Sequence, residues 1–238
     1  MKRTIIVFLF LAVIYFSHGQ GTQNLIIQNQ SFNSLKDGVG NYDYIYKTAP
    51  ETPGVNGSPY LFDTWSEAVM HLKEQDNEYH VKAIKYDILA NKFEFNYAPE
   101  IKVLNGSRVE RFEIVNNVSG KNESYLNCAE VIKGEKLTGF CRLLVEGDVD
   151  LIIRKKAIMM NPTYNSTLMV GNKDKEIIIE DEYYLSTAEM SKQIKDKGDI
   201  KNFFKTLNFD LGEYKKISAK DTDKVIELVN HYNQSKSK

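Results

Sequence analysis

The chain has 238 residues, 42% of them hydrophobic and 26% charged, an ordinary globular make-up. Its 31 basic and 32 acidic side chains give a net charge of −1, with no excess of cations to displace counterions from a polyphosphate, which excludes a nucleic-acid binder.

The first residues read as an export signal. Lys2 and Arg3 precede an unbroken apolar run from Ile5 to Phe16, and Ser17-His18-Gly19 places small residues at the −3 and −1 positions before Gln20. The run is shorter than the roughly 20 apolar residues a bilayer span needs. Residues 1–19 are expected to be a signal peptide cut between Gly19 and Gln20, leaving a periplasmic or secreted chain of net charge −3 once Lys2 and Arg3 are removed. No cysteine stands near the cut to carry a lipid, and no later apolar segment has the length of a transmembrane span.

Residues 20–56 are rich in Asn, Gln, Gly, Ser and Pro, with breakers at Lys36-Asp37-Gly38 and Pro50-Glu51-Thr52-Pro53-Gly54. This composition reads as a flexible arm or linker. Tyrosines alternate in Asn41–Tyr46, a pattern that fits an edge strand and an aromatic-bearing coil equally.

From residue 57 to 186 the pattern is an antiparallel β domain. Ala68–Leu72 is a short apolar strand; His80–Leu89 and Lys92–Tyr97 flank a turn at Ala90-Asn91. Asn105-Gly106, between Ile101–Leu104 and Arg108–Val115, is the strongest short hairpin signal in the chain. Ser124–Ile132 and Leu137–Val145 form a further hairpin if Gly134-Glu135 is a two-residue type II′ turn. That register sets Cys128 opposite Cys141 as a non-hydrogen-bonded pair, with Cα atoms about 4.5 Å apart, and predicts a structural disulfide in an oxidising compartment. The other reading is a pair of small buried thiols. Val149–Arg154, Glu176–Ile179 and Tyr183–Leu185 complete the strands, with Glu180-Asp181-Glu182 as a polar tip between the last two.

Residues 187–238 change to helical spacing. Ile200, Phe203, Phe204 and Leu207 mark one amphipathic helix; Val225, Ile226 and Val229 mark a second, opened by Ser218-Ala219-Lys220-Asp221 in the manner of a capping box. The expected fold class is mainly β (α+β): an antiparallel sandwich or partly open barrel with two short helices from the C-terminal segment packed on it.

Gly57-Ser58-Pro59-Tyr60-Leu61, then Trp65, Lys85-Tyr86-Asp87-Ile88, Phe93-Glu94-Phe95 and a tail at His231-Tyr232-Asn233 together resemble an uncharacterised family of small exported proteins of Gram-negative envelopes. The likeness covers most of residues 57–233 through short motifs, and the cysteine pair is not part of it. It implies a β-rich fold and an exported location, and brings no activity.

The search for chemistry yields little. His71, His80 and His231 stand far apart, without the spacing of metal ligands, and read as surface or capping residues. Asp148-Val149-Asp150 lacks the ligand run and Gly of a calcium loop and reads as a charged turn. Arg154-Lys155-Lys156 reads as a solvated strand end. Gly57–Leu61 reads as a turn that delivers an aromatic anchor to the core. There is no Gly-x-Ser-x-Gly elbow, His-Glu-x-x-His pair or phosphate-binding glycine loop. No catalytic, cofactor-binding or metal residue is assigned. The function expected is that of a non-enzymatic binding or structural protein of the envelope, with an unknown protein or envelope component as partner. A barrel-type carrier of a small apolar ligand and a hydrolase with a spatially assembled site are the alternatives.

Overall fold

The computed structural model describes residues 45–47 and 54–236 apart from 74, 76, 98, 99 and 166. The expected signal peptide, its expected cleavage site at Gly19 and Gln20, and most of the expected arm lie outside the described residues. Twelve strands form one mixed sheet that does not close. The first six are β1 (Ile45–Lys47), β2 (Val55–Asn56), β3 (Ser66–Leu72), β4 (Glu78–Asp87), β5 (Lys92–Tyr97) and β6 (Glu100–Asn105). They are followed by β7 (Val109–Asn116), β8 (Lys121–Asn127), β9 (Phe140–Val145), β10 (Asp150–Met160), β11 (Lys175–Ser186) and β12 (Ser191–Ile194). Eleven run in the order β1-β6-β5-β4-β3-β7-β8-β9-β10-β11-β12, all antiparallel, and β2 joins β11 in parallel. A four-residue turn of helix, α1 (Cys128–Val131), leads out of β8; α2 (Lys197–Thr206) and α3 (Thr222–Lys236) follow the sheet. The β-rich α+β class is as the sequence predicts, and the sheet is a single one.

Curvature follows from the aromatic residues on one face. Phe93 of β5 and Phe140 of β9 lie five strands apart, about 24 Å across a flat sheet at 4.8 Å per strand. Their ring centroids are 5.4 Å apart, so the sheet must roll. Phe112 contacts Phe93, Phe140 and Tyr125 with centroids 5.0 Å away in each case, and Tyr86 closes the cluster. Phe93, Phe95 and Phe112 are wholly buried, so the rolled half is filled by side chains. Burying each such side chain stabilises by about 1.5–3 kcal/mol.

The other half cannot roll onto itself, because the two helices cover it. Ile200, Phe203 and Phe204 of α2 and Val225, Leu228 and Val229 of α3 pack with Leu151, Leu185 and Ile194 of the sheet. Asp196 caps α2: its Oδ1 accepts from the N–H groups of Gly198 (2.6 Å) and Asp199 (3.1 Å), and Asp199 answers at the Asp196 N–H. For α3 the capping differs from the expectation. Ser218 sits in a preceding turn, and Asp221 Oδ1 accepts from the Lys224 N–H at 3.4 Å.

Three expected hairpins are changed. Asn105-Gly106 is a crossover: β6 pairs with β5 and β1, while β7 pairs with β3 and β8. A type I′ turn needs positive φ at both residues, whereas Asn105 has φ −68° and its side chain caps the Ser107 N–H. Glu180-Asp181-Glu182 is no tip, since β11 runs unbroken through it. The Gly134-Glu135 turn is likewise not built. Asn127 caps α1 at the Ala129 N–H, which ends β8 before Cys128, and the register pairs Cys141 with Leu126. Cys128 and Cys141 are therefore free buried thiols, not at disulfide distance, and the expected disulfide is corrected to the buried-thiol alternative. The tyrosine-rich part of the arm contributes β1 at the outer edge of β6.

Candidate binding cleft

A trough runs along β10 and β11 where the aromatic interior ends and the helices begin. Along β11, residues 177, 179, 181, 183 and 185 share one face, opposite Met159, Ala157, Lys155, Ile153 and Leu151 of β10. Leu151 and Leu185 are under the helices. Ile153, Lys155, Asp181 and Tyr183 form the floor of an open groove of about 360 Å³. Thr222 and Ile226 of α3 make one wall, and Tyr125, Arg142 and Leu144 make the other. Farther along the same face, Ile177 and Ile179 floor a second groove of about 510 Å³, walled by Ser58, by Tyr60–Thr64 and by Asn117 and Val118 of the β7–β8 turn. Asp181 and Ile179 are successive on that face, so the floors of the two grooves follow one another along β11.

The lower stretch is polar and preset. Lys155 Nζ meets Asp181 Oδ1 at 2.8 Å, and Arg142 Nη1 meets Glu123 Oε2 at 3.0 Å. Glu123 also accepts from Tyr125 Oη (2.7 Å) and Asn116 Nδ2 (2.8 Å). Burial pushes the Glu123 carboxyl up, but those two hydrogen bonds and the Arg142 charge outweigh it and hold its pKa below the ordinary range. Thr222 donates to Tyr183 Oη at 3.1 Å, fixing the start of α3 to the floor. The arrangement places paired charges and hydroxyls beside apolar surface.

The upper stretch depends on Gly57–Leu61. Gly57 has φ +87°, and a Cβ there would collide with the Ile177 carbonyl oxygen, so only glycine lets the chain pass β11 this closely. The segment then crosses to β4, where the Leu61 N–H donates to the Tyr86 carbonyl (2.9 Å) and the Ile88 N–H to the Pro59 carbonyl (2.8 Å). Tyr60 is half-buried on the outer side of β4 and β5 rather than in the core: its Oη donates to Glu94 at 3.1 Å and Lys85 Nζ lies 4.7 Å from its ring. Asn117 Nδ2 ties the facing turn to Thr64, Trp65 and Ser66 at 3.0–3.1 Å.

Of the other residues singled out, Lys155 and Asp181 lie on the groove floor and the rest fall elsewhere. Arg154, Lys155 and Lys156 are cross-strand partners of the acidic triplet: Arg154 Nη1 to Glu182 Oε2 is 2.7 Å and Lys156 Nζ to Glu182 Oε1 is 3.1 Å. Arg154 Nη2 also donates to the Thr138 carbonyl at 3.1 Å. Cys128 and Cys141 lie on the opposite face with Ile132, Ile152 and Tyr184. Contact with Cys128 and burial push the Cys141 thiol pKa up, the reverse of a reactive thiolate. His71 and His80 both approach Glu78, at 3.5 and 3.8 Å, while His231 stands beside Phe209 and Tyr214 on α3. Among the described residues no three His, Cys, Asp or Glu are grouped to hold a metal. Asp150 Oδ1 accepts from the Gly147 N–H at 3.0 Å, a turn as expected. Asn233 had no sequence rationale beyond its place in the tail; it clamps the main chain of Val149 from α3, accepting its N–H and donating to its carbonyl, both at 2.9 Å. Among the described residues no helix is long and apolar enough to cross a membrane.

No protein-family profile, curated protein or solved structure matches the chain.

Proposed function

We propose that the chain is an exported, non-enzymatic binding protein of the bacterial envelope that receives a partner along the trough of β10 and β11. The observation that carries this reading is the contrast between a filled interior and an open, preset groove. Phe93, Phe95 and Phe112, each wholly buried, occupy the space a barrel-type carrier would keep for an apolar ligand. The trough instead presents Lys155, Asp181, Arg142 and Tyr183 beside Ile153 and Ile226, the mixture of charge, hydroxyl and apolar surface found at non-obligate interfaces. Export rests on the leader-like residues 1–19, and the envelope on the resemblance carried by Gly57–Leu61 and the strands after it.

The test is native mass spectrometry of the protein purified from its own envelope, beside a Thr222→Arg variant that fills the lower groove. A polypeptide mass present natively, lost on denaturation and lost in the variant is the expected result. A small bound molecule would replace this reading with the carrier. A partner held equally by both proteins would place binding elsewhere.

A further inference from the structure

β11 is only partly covered on its outer edge. β12 pairs with Tyr183–Ser186, and β2 pairs with Lys175 and Glu176. Among the described residues no strand pairs with Ile177–Glu182 on that side. The direction of the main chain there follows from its neighbours. The Thr187 N–H donates to the Met190 carbonyl (2.8 Å) in the turn to β12, and the Lys175 N–H donates to the Gly54 carbonyl (3.1 Å) beside β2. With a period of two, the N–H and C=O groups of Ile179 and Asp181 point to the same outer edge. Gly57 lies against the Ile177 carbonyl, so the open stretch is Ile178–Glu182, about 17 Å at 3.3–3.4 Å per residue.

We propose that this edge accepts an extended peptide strand from a partner polypeptide, antiparallel to β11, with basic residues opposite Glu180–Glu182 and apolar residues opposite Ile178 and Ile179. The inference rests on the binding reading above and names the partner's chemistry. Exposed edges are ordinarily blunted or covered, and strand addition uses such an edge for main-chain hydrogen bonds, with alternate side chains supplying specificity. Charge complementarity selects the guest. Of the four carboxylates in Lys175–Glu182, Asp181 and Glu182 are already paired with Lys155, Arg154 and Lys156 of β10, and Glu176 and Glu180 stand exposed without an ion pair among the described residues. β10 already shows what these residues accept: Arg154, Lys155 and Lys156 lie opposite Glu182, Asp181 and Glu180, then Ala157, Ile158 and Met159 opposite the isoleucines. A guest with that order mirrors β10, and every second apolar side chain enters the upper groove beside Ile179.

The probe is a labelled synthetic peptide with the sequence of Ile152–Met160, titrated by fluorescence anisotropy against the full chain. Saturable one-to-one binding that weakens with salt is expected. N-methylation at the peptide positions of Lys155 and Ala157, which face Asp181 and Ile179, should weaken it about tenfold or more by removing the donors that strand addition requires. Ile179→Pro removes an edge N–H that the fold does not use and should do the same, whereas Ile179→Ala keeps the N–H and stays within a few-fold of wild type. No saturable binding, or equal binding by the methylated or reversed-sequence peptide, overturns the proposal without touching the folded protein. A partner seen in native mass spectrometry on both wild type and Ile179→Pro would leave the binding reading standing and remove the added strand.

Discussion

Asn233→Ala should cost far more than a substitution on a terminal helix usually does. Val149 is wholly buried at the turn between β9 and β10, and both of its main-chain groups bond to the Asn233 amide at 2.9 Å. Each hydrogen bond contributes about 1 kcal/mol net, and a buried group left unsatisfied costs about 1–3 kcal/mol. Truncation therefore predicts a loss of about 2–4 kcal/mol, a large part of the 5–15 kcal/mol typical of a domain. The same geometry predicts a coupling. A Cβ at Gly147 would collide with the Asn233 side chain, so Gly147→Ala should destabilise the wild type strongly and the Asn233→Ala background little. Urea unfolding of the two single variants and the double variant measures both effects. A loss below about 0.5 kcal/mol for Asn233→Ala, or strict additivity across the cycle, would refute the clamp.

The acid limb of stability should depend on Glu182. Burial raises its pKa, but Arg154 and Lys156 outweigh it and hold the folded value below the ordinary one. Its contribution is thus present above about pH 4.3 and lost as pH falls through the lowered folded pKa. Thermal melts of Glu182→Gln between pH 3 and 6 should fall less steeply than wild type, and parallel slopes would sink the argument. Gly57→Ala places a side chain at φ +87° against the Ile177 carbonyl and should cost about 2 kcal/mol or more, with faster amide exchange at Lys175, whose N–H donates to the Gly54 carbonyl; unchanged protection there would show that β2 does not need the glycine. Both thiols should resist alkylation in the native protein and give two adducts in denaturant without reductant, whereas a mass two hydrogens lower and no adducts would restore the disulfide. Phe112→Ala should cost about 3–5 kcal/mol by chemical denaturation, as expected for emptying a wholly buried aromatic site, and a cost near 1 kcal/mol would show that the rolled half is loosely packed.

What the sequence disclosed was local periodicity, and what it hid was pairing. Ile200, Phe203 and Phe204 at helical spacing gave α2 its buried face, and Lys92–Tyr97 gave β5 with the same ends as observed. Arg154-Lys155-Lys156 looked like a solvated strand end, and Glu180-Asp181-Glu182 like a polar hairpin tip. Nothing in either segment alone reveals that they lie opposite one another and continue two long strands. Asn105-Gly106 failed for a related reason. Its turn chemistry is right for a hairpin, but β7 finds β3 and β8 as partners, and the Gly106 N–H goes to the Asn91 carbonyl at 2.9 Å. The cysteine register failed because Asn127 can cap a helix as readily as it can sit in a strand, and a slip of two residues moves Cys141 from Cys128 to Leu126. The trough was illegible because its walls come from Ser58–Thr64, β7–β8, β10–β11 and α3, segments that only the roll of the sheet brings together.

The open edge and the unclosed sheet have one cause. A barrel closes when its last strand zips along its first in one continuous register. β11 has 12 residues and β10 has 11, against six in β5 and six in β9, so the end of the sheet outruns the roll that precedes it. Both ends of its outer edge are then taken by short strands of opposite direction, β2 parallel and β12 antiparallel. No single strand continues both, so the edge between them cannot be completed by extending either. Helices α2 and α3 meanwhile bury Leu151 and Leu185, on the face that further rolling would have to cover. What remains is a stretch of β11 whose odd-numbered side chains floor the trough and whose odd-numbered main-chain groups face outward. An extended segment laid on that edge would complete the ladder and roof the upper groove in one step, which is why the trough and the edge are read as one site.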